Sequence, residues 1–349
     1  MNKERDLLNG INIGIVGTVS SGKSTLLNAL LCDEYSECIL RRTTMTPKIY
    51  YQYKTIIDNL DSRDSILEQN NIVNQQIIYT SEKNIEPSPE ELKEYKYRIY
   101  KPFELLNNVK SNLNIFDMPP TNDSRLNNQF TNCLKENMCR FDIVLFVVDI
   151  NSALNTSDEN KTLEIILEQI KINKLQIGIE TKLIVVANKC DDMSLDDHGG
   201  IQLEEEHYEM FAQINTQVKK TVSEIFPKLE YDILPLSSED SFIYRTIEKN
   251  PDTELDLKYL NKCGYSLYGR NRWNKLSHDK KLEQIKKFSK DLDFNEYFKI
   301  TGFKDFEFFL SELIENLNCE LIQKIDNNKI IVTTELLNNK SIRMNTLFI

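Results

Sequence analysis

The sequence is poor in glycine, proline, tryptophan and histidine, and it has no long apolar run. Its 349 residues include 10 Gly, 9 Pro, 1 Trp and 3 His. So little glycine and proline excludes collagen-like and linker-rich architectures. The longest apolar run, residues 143–148, suits a buried strand and is too short to cross a membrane. The charged residues 1–9 lack the apolar core of a secretory signal.

The cysteines and histidines form no metal-binding or redox pattern. Two cysteine pairs, Cys32 with Cys38 and Cys133 with Cys139, are each six positions apart, whereas a zinc knuckle or a redox pair needs CxxC. The histidines are isolated, and none belongs to an HExxH motif. We therefore expect free thiols, which are typical of a cytoplasmic protein, or of the host cytoplasm if the protein is viral.

A basic excess is also missing. There are 43 Lys and Arg against 54 Asp and Glu, which gives a formal charge of −11. This balance argues against a nucleic-acid partner, because phosphates require a basic surface. We expect no nucleic acid, no integral membrane segment, and peripheral membrane recruitment only through a partner. The apolar fraction of 40% is sufficient for a sizeable core.

Short β-rich runs alternate with helical patterns along the chain. Strands are predicted over 11–16, 48–53, 113–116, 142–149, 182–187 and 231–236, and helices over 25–31, 126–139, 157–170, 204–226 and 306–322. Ser157 is predicted to cap its helix, and residues 77–79 are a possible strand within a polar stretch. Continuous apolar strands separated by helices predict an α/β fold: a three-layer P-loop NTPase with a mostly parallel sheet and helices on both faces.

A glycine-containing loop follows the first predicted strand. Residues 17–24 read GTVSSGKS, the P-loop pattern, and they stand between a strand and a helix. The glycines let successive N–H groups converge on phosphate oxygens. We expect Lys23 to neutralise the β- and γ-phosphates and the Ser24 hydroxyl to ligate Mg²⁺. The predicted contacts to the phosphates are Gly17, Thr18, Val19, Ser20, Ser21, Gly22, Lys23, Ser24 and Thr25.

The sequence NKCD, residues 188–191, directly follows the strand over 182–187 and predicts guanine recognition. An ionised Asp191 can accept two hydrogen bonds, from the N1–H and the exocyclic amine of guanine, and adenine offers no such pair. The Lys189 stem can lie against the base, and Asn188 belongs to the same motif. Further contacts to the base are expected after the strand over 231–236, from Ser237 and Ser238. The predicted ligands are GTP and GDP.

Two other segments carry candidate metal ligands. Asp117 follows the strand over 113–116, and we expect it to reach Mg²⁺ through water. Pro120 stands where GTPases usually have a glycine, and proline has no N–H for the γ-phosphate. Either the Thr121 amide substitutes, or the coupling of this loop to hydrolysis is weakened. In the RRTTMTP segment, Thr44 is the first choice and Thr43 the second for a hydroxyl ligand to Mg²⁺.

These motifs together resemble the dynamin superfamily of large GTPases. The similarity lies in the Ser20–Ser21 pair of the P-loop, in the Arg/Thr/Pro-rich residues 41–47, in the DMP sequence of residues 117–119, and in Thr-Gly-Phe at 301–303. It runs in order over about residues 11–317.

The resemblance implies Mg²⁺-dependent hydrolysis of GTP, stimulated by dimerisation through the GTPase domain. Lys23, Ser20 and Thr44 are the implied catalytic residues, and Ser20 would also help to hold K⁺ or Na⁺ at the phosphates. Val19 stands where the family often has a water-orienting polar side chain. Val19 and Pro120 therefore motivate an alternative, a GTP-binding switch or adaptor with little intrinsic hydrolysis. An ATPase or another P-loop enzyme is a third possibility, which the guanine-selective NKCD motif disfavours.

The motif spacing predicts one enlarged GTPase domain over residues 1–325. It would contain insertions at about 59–94 and 240–295, and a short C-terminal extension, residues 326–349, would follow it. This arrangement leaves no room for the long helical stalk of full-length dynamins.

Overall fold

The structure is a computed structural model. It describes residues 10–36, 44–52, 61–82, 92–99, 112–122, 126–249, 255–291 and 293–319. The predicted extension over 326–349, with its strand-like residues 329–335, lies outside the described residues, as do Arg41, Arg42 and Thr43.

A seven-stranded sheet forms the centre of the protein. Its strands are β1 (Gly10–Gly17), β2 (Lys48–Gln52), β3 (Tyr95–Ile99), β4 (Asn112–Asp117), β5 (Ile143–Asp149), β6 (Lys182–Asn188) and β9 (Tyr231–Leu236). The spatial order is β3-β2-β4-β1-β5-β6-β9. The strands from β4 to β9 in that order are parallel, whereas β2 runs antiparallel to β4 and pairs in parallel with β3. A separate antiparallel hairpin joins β7 (Met193–Leu195) to β8 (Ile201–Leu203).

Helices connect and cover the strands. They are α1 (Lys23–Leu31), α2 (Arg63–Glu82), α3 (Asn127–Asn137), α4 (Ser157–Ile172), α5 (Glu205–Ile225), α6 (Ser238–Lys249), α7 (Leu257–Tyr268), α8 (Arg270–Trp273), α9 (His278–Phe288), α10 (Phe294–Lys299) and α11 over residues 303–319. No helix in the described part of the chain is long and apolar enough to cross a membrane.

The sheet separates two apolar cores. Alternate residues of the buried strand β5 point to opposite faces: Leu145 and Val147 join one core, and Val144 and Phe146 join the other. The first core is closed by α1, α6, α7 and α9 to α11, and the second by α3, α4 and α5. Burial on both faces explains the continuous apolar sequence of β5. The predicted fold class, α/β with a mostly parallel sheet and helices on both faces, is confirmed.

The possible strand over residues 77–79 is wrong, because these residues belong to the 20-residue helix α2. Ile66, Val73 and Ile77 are buried at helical spacing. The pattern is hidden in the sequence because two other buried positions of this helix, Asn70 and Asn74, are polar. Their side chains are satisfied: Asn70 accepts a hydrogen bond from the Tyr97 hydroxyl, and Asn74 accepts one from the Met45 amide. Buried polar groups persist when they are paired in this way.

Three smaller differences from the sequence prediction concern caps and unassigned segments. Thr156, and not Ser157, caps α4, since its hydroxyl accepts a hydrogen bond from the Glu159 amide at 3.3 Å. Strand β3 lies in a region without a predicted element. The unassigned stretch over 240–295 is helical in its described parts and packs into the first core through the buried Trp273.

Candidate nucleotide-binding site

The predicted site residues meet at one edge of the sheet. Gly17, Asp117 and Asn188 end the parallel strands β1, β4 and β6, and parallel strands end at a common edge. Strand β2 runs in the opposite direction and therefore begins there, so that Lys48 pairs in register with Asp117. The fold thus brings the P-loop, the segment around Thr44 and the NKCD motif to the same edge.

The P-loop has the tight, left-handed turns that its glycines permit. Gly22 has φ +96°, and a Cβ there would lie 2.0 Å from Nδ2 of Asn188. A Cβ on Gly17 would lie 2.4 Å from the Val147 carbonyl oxygen. Ser20, which is exposed, adopts φ +62° without being a glycine. Helix α1 begins directly after Gly22, so the first N–H groups of the helix face the loop and form a suitable place for an anion.

Lys23 is folded back into the P-loop. Its ammonium donates a hydrogen bond to the Thr18 carbonyl at 2.7 Å, and only 6% of the residue is exposed. Burial lowers the pKa of Lys23 to about 8, and the nearby Asp117 opposes that change. An ammonium that has lost most of its water contacts gains strongly from an incoming phosphate oxygen.

Asp117 lies at the bottom of the site with one carboxylate oxygen available. The Thr44 hydroxyl donates to Oδ2 of Asp117 at 2.8 Å, whereas Oδ1 is buried without a hydrogen-bond partner. Burial raises the pKa of Asp117, and the charge of Lys48, the hydrogen bond from Thr44 and the charge of Lys23 oppose the increase. A buried carboxylate oxygen without a partner, beside the Thr44 hydroxyl and the P-loop, fits a hydrated Mg²⁺ ion.

Asn122 contacts the P-loop, a contact that the sequence does not predict. Its side-chain oxygen accepts a hydrogen bond from the Val19 amide at 2.6 Å. Asn122 follows the DMPP sequence and Thr121, whose hydroxyl lies 2.5 Å from that of Thr162. An amide side chain thus reaches the P-loop at the position where Val19 offers no polar side chain.

Asn188 links three segments of the site through two side-chain hydrogen bonds, which we call the joint at Asn188. Its Nδ2 donates to the Ser21 carbonyl at 2.8 Å, and its Oδ1 accepts from the Ser238 amide at 3.0 Å. Both polar ends of this buried amide are therefore satisfied within the protein. The geometry gives Asn188 the task of fixing the P-loop relative to the loop after β9, and Ser238 is one of its partners.

Asp191 and Lys189 lie beside this joint. The Ser237 hydroxyl faces Oδ1 of Asp191 at 2.6 Å, and the Asp191 side chain is 49% exposed, so its remaining lone pairs are open to a ligand. Lys189, at φ +66°, donates to Asp149 at 2.5 Å, which aligns its stem along the edge of the sheet. Asp149, at the end of β5, is thus brought to this edge without belonging to a sequence motif.

The turn over residues 301–303 supports Ser237 and Ser238, which follow β9 and which we call the serine loop. The Ser237 amide donates to the Thr301 carbonyl at 2.9 Å, and Gly302 has φ +79° with its Cα against the Pro235 carbonyl. A Cβ on Gly302 would lie 2.5 Å from that oxygen, so the position requires glycine. Lys48, Asn122 and Asp149 carry no motif, and only the fold brings them to the site.

Comparisons with known proteins agree with this arrangement. The family model described as the Dynamin family matches residues 13–190, about half of the chain. An uncharacterized protein of Acanthamoeba polyphaga mimivirus is 33% identical over 196 residues, which cover 53% of this chain and 30% of that protein. This chain therefore spans about a third of the length of that relative.

Three solved structures are similar to parts of this chain at low sequence identity and with TM-scores below 0.4. A dimerization-deficient mutant of Toc33 from Arabidopsis thaliana is 10% identical, with a TM-score of 0.39 over 66% of this chain and 71% of that chain. A bacterial dynamin from an oligomerised pair is 17% identical, with a TM-score of 0.38 over 95% and 46%. Era, in complex with MgGDPNP and a segment of 16S ribosomal RNA, is 18% identical, with a TM-score of 0.34 over 66% and 52%. Because the family model matches about half of the chain, from β1 through the P-loop and the segment around Thr44 to Cys190 of the NKCD motif, this chain belongs to the dynamin family.

Proposed function

We propose that this chain binds GTP with Mg²⁺ and hydrolyses it to GDP and phosphate. The observation that carries the proposal is the joint at Asn188, whose two hydrogen bonds link Ser21 of the P-loop to Ser238 after β9. A nucleotide lying along this edge would place its phosphates on the P-loop and its base at Asp191. Ser237 and Lys189 would border the base.

The metal would be held by hydroxyl groups and water rather than by a cage of side chains. Within the described residues there is no group of three or more His, Cys, Asp or Glu that could hold a metal ion. Ser24 and Thr44 would supply hydroxyl ligands, and Asp117 would act through water with its Oδ1. The bound Mg²⁺ would neutralise charge on the β- and γ-phosphates. Ser20 would help to hold K⁺ or Na⁺ at the same phosphates.

Lys23 and the backbone N–H groups of the P-loop would stabilise the transferring phosphoryl group. Stabilisation of this kind supplies most of the rate acceleration in phosphoryl transfer. Residues 17–25 would surround the phosphates, and Thr44 would lie beside them as a ligand to Mg²⁺. Each of these roles is a prediction for this chain.

Dimerisation would complete the site. Within one chain, Val19 offers no polar side chain to the attacking water, and Pro120 has no N–H. A second copy facing the nucleotide would supply further polar groups, and the support for this arrangement is the resemblance to the dynamin family. We also propose that residues 1–325 form one domain, because α6 to α11 share the first core with α1 and the sheet.

The test is the rate of phosphate release from GTP, measured per molecule as the protein concentration is increased, with K⁺ and with EDTA as separate conditions. We expect a rate that rises with protein concentration, that increases with K⁺ and that EDTA abolishes. A rate per molecule that stays constant would contradict the role of the dimer. Binding of GTP without any release at high concentration would favour the alternative, a GTP-binding switch or adaptor.

Replacing Asn122 with alanine is expected to raise the affinity for GTP about two- to tenfold. The Asn122 oxygen occupies the Val19 N–H that a phosphate oxygen would use, and one such hydrogen bond has a net value of about 0.5–1.5 kcal/mol. Isothermal titration calorimetry with a non-hydrolysable GTP analogue gives the two dissociation constants. Asn137→Ala, at the end of α3, is the matched control. A weaker affinity in Asn122→Ala would show that the side chain assists binding instead of competing with it.

A further inference from the structure

Helix α7 brings a lysine to the residue that we propose to recognise the base. Lys262 Nζ lies 3.9 Å from Oδ2 of Asp191, 2.8 Å from Glu239 and 3.0 Å from Asp240. We call these four residues the Lys262 cluster. Lys262 comes from the stretch over 240–295, which the nucleotide motifs do not include, whereas Glu239 and Asp240 open α6 directly after the serine loop.

Within the Lys262 cluster, a single ammonium, that of Lys262, faces three carboxylates. Burial alone would lower the pKa of Lys262, but the charges of Asp240, Asp191 and Glu239 raise it above its usual range. Lys262 therefore stays positively charged at neutral pH. Without it, Glu239 would keep its contact with Lys258, whereas Asp191 and Asp240 would face each other, and Asp191, the most exposed of the three carboxylates, could turn away into water.

Ser237 adds a second link between Lys262 and Asp191. Its hydroxyl has a single hydrogen but faces two acceptors, Oδ1 of Asp191 at 2.6 Å and Oδ2 of Asp240 at 2.9 Å. Asp191 is the nearer acceptor, and Asp240 also has Lys262 at its other oxygen, Oδ1. Asp191 is then held from two sides, through Ser237 at Oδ1 and through Lys262 at Oδ2.

We infer that Lys262 is a specificity-determining positioning residue, which orients the Asp191 carboxylate so that both of its oxygens accept hydrogen bonds from guanine. The inference rests on the proposed function, because it requires the base to lie at Asp191. It assigns the helices after residue 240 a part in base selection. Lys262 itself acts through Asp191 and needs no contact with the nucleotide.

The experiment compares the affinities for GTP and for inosine triphosphate, which lacks the exocyclic amine of guanine. The wild-type protein should prefer GTP by about tenfold or more, the value of one hydrogen bond to a charged acceptor. Lys262→Met should reduce this preference at least about threefold, and Lys262→Gln should act in the same direction. Lys258→Met is the matched control, because Lys258 lies one turn earlier on α7 and contacts Glu239 but not Asp191. It should keep the wild-type preference.

The outcomes separate the two levels of the proposal. If the wild-type protein binds neither nucleotide, or binds ATP as tightly as GTP, the proposed function fails. If the wild-type protein prefers GTP and Lys262→Met weakens both affinities by the same factor, Lys262 has a merely structural role and the inference fails. Lys262→Arg, which keeps the charge, should retain the preference.

A double-mutant cycle gives an independent measurement. Asp191→Asn should shift the preference to xanthosine triphosphate, because the base then presents an acceptor to the Asn amide. In that background the neutral side chain no longer attracts Lys262, so adding Lys262→Met should change the affinity for xanthosine triphosphate less than about twofold. An effect as large as in the wild-type background would show that Lys262 does not act through Asp191.

Discussion

Replacing Lys23 with methionine is expected to lower the rate of GTP hydrolysis by about a hundred- to a thousandfold. The ammonium is already held within the P-loop by the Thr18 carbonyl, with little water around it. A donor that is preorganised in this way stabilises the charge that develops on the transferring phosphoryl group without a cost of reorganisation. Methionine preserves the volume and the apolar stem, so the change removes the charge while the packing of α1 is kept. Single-turnover phosphate release with excess enzyme measures the effect.

The matched control for this prediction is Lys182→Met. Lys182 begins β6, at the opposite end of that strand from Asn188. Its replacement should leave the rate of hydrolysis within about twofold of wild type. A Lys23→Met protein that unfolds at the wild-type temperature and still hydrolyses GTP at the wild-type rate would contradict the phosphate-binding role of the loop.

Replacing Arg245 with methionine is expected to lower the free energy of unfolding by about 3 kcal/mol or more. The guanidinium lies inside the protein, 1% exposed, and donates to the Ala29 and Leu30 carbonyls at 2.5 and 2.8 Å. These carbonyls end α1, the P-loop helix, which has no basic residue of its own in its last turn. The change removes charge-assisted hydrogen bonds and leaves the two buried carbonyl acceptors unpaired. It also removes the ion pair of Arg245 with the partly buried Glu307.

Urea unfolding followed by circular dichroism measures this loss. Arg272→Met is the control, because Arg272 is an exposed arginine that lies over the ring of Tyr268 and should change the free energy of unfolding by less than about 0.5 kcal/mol. If the two variants have equal stability, the carbonyls at the end of α1 do not depend on Arg245. A loss of GTP affinity in parallel with stability is expected, because α1 carries the P-loop.

The sequence predicts the edge of the sheet where the site lies, for a physical reason. Each motif lies at the end of a run predicted as a strand, and the ends of parallel strands converge. Asp117 and Asn188 could therefore be assigned to one site without knowledge of their contacts. No sequence signal separates Thr44 from Thr43, and Thr43 lies outside the described residues, so that choice stays a prediction.

Other features could not be predicted because their causes are not local. The asparagines of α2 look like surface residues in the sequence, and only their bonds to Tyr97 and Met45 make them tolerable in the interior. The contact between Lys262 and Asp191 depends on how α7 packs against the loop after β6. Similarly, no sequence pattern indicates that Asn122 reaches the Val19 amide, because that contact depends on the path of the loop after β4.

The joint at Asn188 also has a consequence for the time at which the site forms. Its two partners lie far from it in the chain: Ser21 precedes Asn188 by 167 positions, and Ser238 follows it by 50. When the ribosome has just completed the NKCD motif, it has made every residue that the family model covers. It has not yet made Ser238, whose amide donates a hydrogen bond to Asn188. A nascent chain that ends near residue 190 should therefore present a loose P-loop, and the competence to bind nucleotide should appear only after β9 and α6 have emerged.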